Sequence, residues 1–545
     1  IMIIKAEDYN VTPNCPIEEQ LSDLFRHLAE IDGEKTLVFD AGDYFIDMKN
    51  SKPEMLYITN TVGDREFKKY ETPHKGKVAL NLKNINNLKI EGNGAKFIIK
   101  NGKATNAVIQ NCENIEINDI EIDVEKPDIQ ELRVISIGRH HVDFELDKNT
   151  EYEFRNGKLY FTGPDYDVNV IKKYKVAYNL GCVKKATPNK IERVRYIFLQ
   201  ALKAKDLGNR KIRIYYINTR NFTVDDRYYA YGCRRQNVGI FVDASKNITL
   251  NNVAQRFNYS LAFVAQDTEN ITLNKLDFSP DKKTGRLVTS IADFIQICMC
   301  RGRVTIENSN FEGAGDDCLN VHGVHFKIKK ISGNTIIVRF MHPQSHNYNA
   351  IHCGDKIAFI NSATLLEHGT ATVASSKLIN EYELELELDN AEDARVGEVI
   401  ENISACPELE FRNNIVNRII TRGLLITNRK KVIVDGNHFI SNTMSGILLS
   451  DDASSWYESG MCKDVTISNN VFDYCGEAGI LIKPENRTHQ AAVHENIKIL
   501  NNEFKGYDGA CINAKSTKNL EIKGNTFANE NKLKTSNCEQ VETDF

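Results

Sequence analysis

One pattern of apolar and polar positions returns along most of this chain. A polar residue opens it, and two aliphatic residues follow with one polar residue between them. An Asn-rich turn and a second short strand often come next. Early instances are Asn87-Leu88-Lys89-Ile90, Asn114-Ile115-Glu116-Ile117, Asn247-Ile248-Thr249-Leu250 and Asn270-Ile271-Thr272-Leu273. Later ones are Arg303-Val304-Thr305-Ile306, Lys431-Val432-Ile433-Val434, Asp464-Val465-Thr466-Ile467, Asn496-Ile497-Lys498-Ile499 and Asn519-Leu520-Glu521-Ile522. Most of the later ones lead into a turn and a phenylalanine, as in Asn469-Asn470-Val471-Phe472. Alternation with period two marks a strand that buries one face. Asn247 to Asn270 is 23 residues, as is Asn496 to Asn519, and Lys431 to Asp464 is 33, as when a loop lengthens a coil. Short strands between Asn and Gly turns at such a period are the signature of a solenoid. With no helices between the strands, the predicted fold is all-β, a right-handed parallel β-helix. Buried aliphatics stack coil on coil, and turn asparagines can hydrogen-bond in ladders along the axis.

The pattern has a beginning and two gaps. Ile17, Leu21, Leu24, Phe25, Leu28 and Ile31 recur at helical spacing and predict an amphipathic helix over 17–31. Such a helix caps the first coil, which otherwise offers an open sheet edge. Between about 123 and 244, and again between about 324 and 406, the coil pattern gives way to alternating β-runs such as Val142-Asp143-Phe144-Glu145-Leu146 and Tyr382-Glu383-Leu384-Glu385-Leu386. These predict two small inserted β-barrels. The organisation is therefore cap and first coils (1–122), first insert (123–244), middle coils (245–323), second insert (324–406) and C-terminal coils (407–545). The second insert begins directly after His322-Gly323.

Length sharpens this picture, because 545 residues exceed one ordinary core, whereas a repeat fold grows along one axis. The balance of 69 basic and 74 acidic residues argues against a nucleic-acid partner. No run of about 18 apolar residues is present, which argues against a membrane span. The 13 cysteines are odd in number and unpatterned, with Cys298-x-Cys300 the nearest to a paired motif. They read as buried thiols and favour a cytoplasmic protein, with a secreted or periplasmic one whose leader has been removed as the alternative. No metal-ligand spacing stands out, and no cofactor is expected.

The candidate chemistry lies in Gly313-Ala314-Gly315-Asp316-Asp317-Cys318-Leu319-Asn320-Val321-His322-Gly323. Asp293 precedes the two aspartates by 23 and 24 residues, which is one coil. Neighbouring coils lie about 4.8 Å apart. The three carboxyl groups are thus expected on one face, near the roughly 6.5–9.5 Å separation of an inverting glycosidase, which leaves room for a water. Strand parity turns Asp316, Asn320 and His322 outward and Asp317 inward. Gly313 and Gly315 permit a kink that brings both aspartates to the surface. Parity alone leaves open which of the two holds a water, and a turn-capping role accounts for either one singly.

Asp293 in Ile291-Ala292-Asp293-Phe294, then Cys300-Arg301-Gly302, then Asp316-Asp317-Cys318-Leu319-Asn320-Val321-His322-Gly323, resembles the α-1,3-galactosidases of glycoside hydrolase family 110, over nearly the whole chain. The resemblance implies a β-helix with inserted barrels that hydrolyses with inversion. It implies a galactose-terminated oligosaccharide as partner, including blood group B-type or linear Galα1-3Gal ends, with the monomer or homodimer state open. Carried over, Asp293 matches the general acid, Asp316 and Asp317 the pair that activates water, and Asn320 and His322 the rest of the motif, on the substrate side. Trp456, the only tryptophan, is a candidate for stacking on a sugar. Glu458 and Glu485 are candidates for its hydroxyls, and Arg234, Arg235 and Arg422 for reaching the cleft. A polygalacturonase-like hydrolase is the alternative enzyme. Its basic motif for an acidic sugar has one counterpart, Arg429-Lys430-Lys431, far downstream. A non-catalytic carbohydrate-binding β-helix is the alternative of another class, and it predicts aspartates that are dispersed or individually paired.

Overall fold

The computed structural model describes residues 1–545 except 62–73, 164–165, 171–178, 184–190, 196–200, 232–234, 236 and 507–508. The repeated motif forms three parallel ladders that wind into a β-helix. The first includes Lys246–Gln255, Glu269–Asn274, Arg301–Glu307, Val432–Asp435 and Val465–Ser468. The second includes Asp277–Phe278, Asn310–Glu312, His438–Ile440 and Val471–Asp473. The third runs through Ile240–Asp243, Phe263–Gln266, Ile295–Cys298, the start of Leu319–Ser332, Leu424–Ile426 and Ile447–Leu449. Register holds from coil to coil: Ile248 faces Ile271, and Leu250 faces Leu273. Their side chains belong to one continuous core along the axis.

The motif's asparagines serve two ends. Asn114, Asn247 and Asn270 adopt φ of 56°, 56° and 60°, the left-handed turn that Asn tolerates better than most residues. Their amides also join across coils, Asn247 donating to Asn114 at 2.8 Å and Asn270 to Asn247 at 3.0 Å. A second ladder links the buried Asn437, Asn470 and Asn502 with the half-buried Asn525, beside the stacked rings of Phe439, Phe472 and Phe504. Asn470→Ala removes the acceptor of the Asn437 backbone N–H and the donor to Val434 O. It is expected to destabilise the protein by about 1–3 kcal/mol, read as a lower guanidinium midpoint. An unchanged midpoint would remove the ladder from the stabilising interactions.

The cap is an α-helix, Glu18–Glu30, whose Leu21, Leu24, Phe25 and Leu28 join the core of the first coils. Among the described residues of the first insert, a seven-stranded antiparallel sheet and a three-stranded sheet share one core around Phe144, Phe161 and Tyr228. In the second insert, Leu319–Ser332, Thr335–Arg339, Glu383–Leu388, Glu367–Leu378, Lys356–Ile360 and Val399–Asn402 pair in a closed antiparallel ring. Its first strand continues the third ladder without a break, so the barrel stands directly over the coil that carries Asp316 and Asp317. The cysteines whose side chains are described are free thiols, mostly buried. No helix among the described residues is long and apolar enough to cross a membrane.

Candidate active site

The site is built where chain enters the third ladder on successive coils. Ile295 pairs with Leu319, and Leu319 with Leu424. Two residues before each of these stand Asp293, Asp317 and Arg422, aligned coil over coil. The backbone fixes the stack, since Phe294 N donates to Asp317 O at 2.9 Å and Cys318 N to Arg422 O at 3.2 Å. Gly313 opens the turn with φ 84°, and a Cβ there would stand 2.4 Å from Leu287 O, so the close approach demands glycine. Leu319 and Val321 point into the core, as parity predicts. Asp317 ends outside it, because it belongs to the turn before the strand.

Asp317 is buried and heavily bonded. Its Oδ1 accepts from Thr421 Oγ1 at 2.7 Å, Arg422 N at 3.1 Å and Arg422 Nε at 2.8 Å, and its Oδ2 accepts from Arg422 Nη2 at 2.8 Å. Burial raises its proton affinity above the ordinary carboxylate value, against the opposing pull of Arg422. Asp316 is the most exposed of the three, its side chain 25% accessible against 3% for Asp293 and 2% for Asp317. It contacts Arg235 Nη2, and Thr421 Oγ1 lies 3.1 Å from its Oδ1. The same Arg235 nitrogen lies 3.9 Å from Asp293 Oδ1. Asp293 Oδ1 is buried and accepts no hydrogen bond among the described residues. Burial first, and the charge of Asp316 second, hold the Asp293 carboxyl well above the usual range.

All three aspartates line one pocket of about 140 Å³ together with Arg235 and Arg422. Two family models match this architecture: "Right handed beta helix region" over residues 398–527 and "GLAA-B beta-barrel domain II" over residues 335–400. "Alpha-1,3-galactosidase A" of Bacteroides fragilis (strain YCH46) is 34% identical over 517 residues, 91% of this chain and 82% of that protein. The chain belongs to the α-1,3-galactosidase family. The enzyme of the same name from Bacteroides thetaiotaomicron is 33% identical over 504 residues, 90% of this chain and 85% of that protein. Among solved structures, a family 28 exopolygalacturonase of Yersinia enterocolitica covers 99% of this chain and 78% of its own, at 12% identity and a TM-score of 0.43.

In this galactosidase-family chain the other candidates divide by place. Asn320, Trp456, Glu458, Glu485 and Arg422 line the carboxylate pocket. Asn320 Nδ2 donates to Glu458 Oε1 at 3.0 Å, and Glu485 lies 3.3 Å from Lys483. His322 lies instead in an adjoining recess, its Nε2 3.7 Å from Glu458 and its Nδ1 bonded to Gly323 O at 2.7 Å. Burial disfavours the His322 cation, but chiefly the Glu458 charge outweighs this and pushes the ring up to about 10. Asn320 and His322 face outward as parity predicts, yet both are buried, because the loop carrying Trp456 and Glu458 covers them. Arg234 lies outside the described residues. Arg429 is absorbed by Glu401 at 2.8 Å and Glu367 at 2.7 Å and does not line the pocket. Sequence reasoning missed Asn60, Thr421 and Asp452. Asp452 caps the loop by accepting from the backbone N–H of Ser454, Ser455 and Trp456. Thr421 had a signal: Thr421-Arg422-Gly423-Leu424 occupies, one coil on, the place of Asp316-Asp317-Cys318-Leu319.

Proposed function

We propose that this chain hydrolyses terminal α-1,3-linked galactose by a single displacement with inversion, through Asp293, Asp316 and Asp317. The observation that carries the reading is three carboxyl groups around one pocket, one disposed to hold a proton and one tied to a half-buried arginine. Asp293, neutral through burial, donates its proton to the glycosidic oxygen. Asp317, ionised against Arg422, keeps room on Oδ2 for the proton of an attacking water, with Asp316 beside it. Asp316, Asp317, Asp452, Glu458 and Glu485 outnumber the two arginines of the lining. That balance suits a neutral sugar and disfavours the acidic sugar of a polygalacturonase-like enzyme. Three aspartates around one pocket also speak against a purely carbohydrate-binding role. The test is proton NMR of the first product from Galα1-3Gal. β-Galactose is expected, and α-galactose as first product, or no release, would overturn the proposal.

A pH profile follows from the burial of Asp293. A carboxyl group whose proton affinity is raised stays protonated above the ordinary range and fails as an acid only when pH passes its own value. The alkaline limb of kcat/KM is therefore expected above the usual carboxylate range, and the acid limb where Asp317 takes up a proton. Profiles without an alkaline limb would remove Asp293 as the acid.

A second reading rests on the exposure of Asp316. The leaving group points toward solvent in an enzyme that removes terminal sugars, and Asp316 is the aspartate nearest solvent. In that arrangement Asp316 is the acid, and Asp293 and Asp317, stacked in register, flank the water. An aryl α-galactoside with a good leaving group decides between them, because it needs little protonation. The variant, Asp293→Asn or Asp316→Asn, that keeps its activity on that substrate marks the acid.

A further inference from the structure

We propose that His325 and Asp451 are a positioning pair for the galactosidase site. Their side chains tie the foot of the loop that carries Trp456 and Glu458 to the second barrel, and so set that loop over the carboxylates. This rests on the galactosidase reading above, in which the loop walls the sugar's pocket.

The loop leaves the third ladder after Ile447–Leu449 and returns at Glu458–Ser459. Its two feet are Asp451-Asp452 and Glu458-Ser459, joined where Asp452 N donates to Glu458 O at 3.0 Å. The returning foot pairs with the first barrel strand, Val324 facing Glu458 and Gly323 facing Ser459. His325 N donates to Tyr457 O at 2.9 Å beside it. The His325 ring then reaches the departing foot, its Nε2 2.7 Å from Asp451 Oδ1. One barrel residue thus grips both feet, one through its backbone and the other through its side chain. Asp451 O also accepts from Glu485 N at 2.9 Å. Trp456, Glu458 and Glu485 all line the carboxylate pocket.

The pair lies at a buried joint between barrel and β-helix. His325, Asp451 and Glu401 are fully buried, and His325 faces Glu401 across two barrel strands. From the coils, Arg429 reaches over the same joint to Glu401 at 2.8 Å and Glu367 at 2.7 Å. Burial disfavours the His325 cation, but Asp451 first, then Glu401 and Asp452, outweigh this and raise the proton affinity of the ring. His494, on the far side of Asp451, is pushed down to about 4 by burial and adds no charge. The two fully buried acids, Asp451 and Glu401, are therefore matched by two cations, His325 and Arg429, and barrel and coils each supply one acid and one cation. A buried ion pair contributes little over well-packed apolar groups, and its best-attested use is to fix a register. The register fixed here is that of the loop on the barrel.

Asp451→Val with His325→Leu replaces the pair by apolar groups, an exchange that is often neutral or stabilising for a fold. Trp456 is the only tryptophan, so its fluorescence reports this loop alone. The double variant is expected to melt cooperatively near the parent Tm, while acrylamide quenches Trp456 more strongly. KM for Galα1-3Gal is expected to rise about tenfold with a smaller change in kcat, because the loop holds the sugar in ground and transition state alike. Asp451→Asn is expected to act in the same direction and guards against a folding defect in the double variant. Parent-like quenching, or a parent-like KM, in every variant that folds would overturn the inference and leave the pair a purely structural contact. Galactose release by the unsubstituted enzyme is measured first. No release would overturn the galactosidase reading, and the quenching of Trp456 would still test the pair.

Discussion

Asp317→Asn is expected to give a folded protein whose kcat on Galα1-3Gal is lower by about 10³-fold, within the 10²–10⁴ typical of a lost general base. The argument holds under either choice of acid, because Asp317 is the ionised partner of the water in both. The amide keeps the shape of the carboxylate and can still accept from Thr421 and from Arg422 N through Oδ1. It loses the charge, and its Nδ2 meets the Arg422 Nη2 donor that Oδ2 now receives. KM is expected to change less than kcat, since the lost interaction develops with the attack of water and not with binding of the sugar. Rapid-quench turnover checks the rate, and circular dichroism checks the fold. A kcat within about tenfold of the parent would remove Asp317 as the base.

How far the sequence reaches is clear from these residues. The coils were legible because every coil repeats one physical demand, alternating aliphatics that bury one face, in several coils after a left-handed asparagine. Asp293 and Asp317 were legible for the same reason, since a spacing of one coil becomes adjacency on neighbouring strands. Their partners differ. Asn60, Arg235 and Asp316 meet in space from three separate parts of the chain, and no periodicity links them. Arg422 is one coil beyond Asp317, but the inserted barrel stretches that step to 105 residues and hides it. Parity predicted the outward turn of Asn320 and His322. It carried no information on what covers them, because the covering loop is held by Asp452, an Asx-type cap that looks like any other loop aspartate.

Arg422→Met is expected to lower stability at neutral pH by about 3–5 kcal/mol, the usual consequence of stripping one partner from a buried ion pair. It is expected to lower kcat as well, since Asp317 then holds its proton. Three of the four hydrogen bonds to the Asp317 carboxylate come from Arg422, two of them from the guanidinium. Methionine fills much of the space of the stem and supplies no charge. Without the guanidinium, burial dominates and the folded-state proton affinity of Asp317 rises further. A carboxyl whose folded pKa lies above its unfolded one favours folding at low pH, and that advantage is lost as pH rises through the folded value. The deficit of the variant should therefore be small in acid and grow toward neutrality, as denaturant midpoints at several pH values would reveal. Asp317→Asn combined with Arg422→Met removes both charges, and its deficit should be smaller than the sum of the single ones. Additive deficits, or one independent of pH, would mean that Arg422 stabilises through packing of its stem and not through the charge of Asp317.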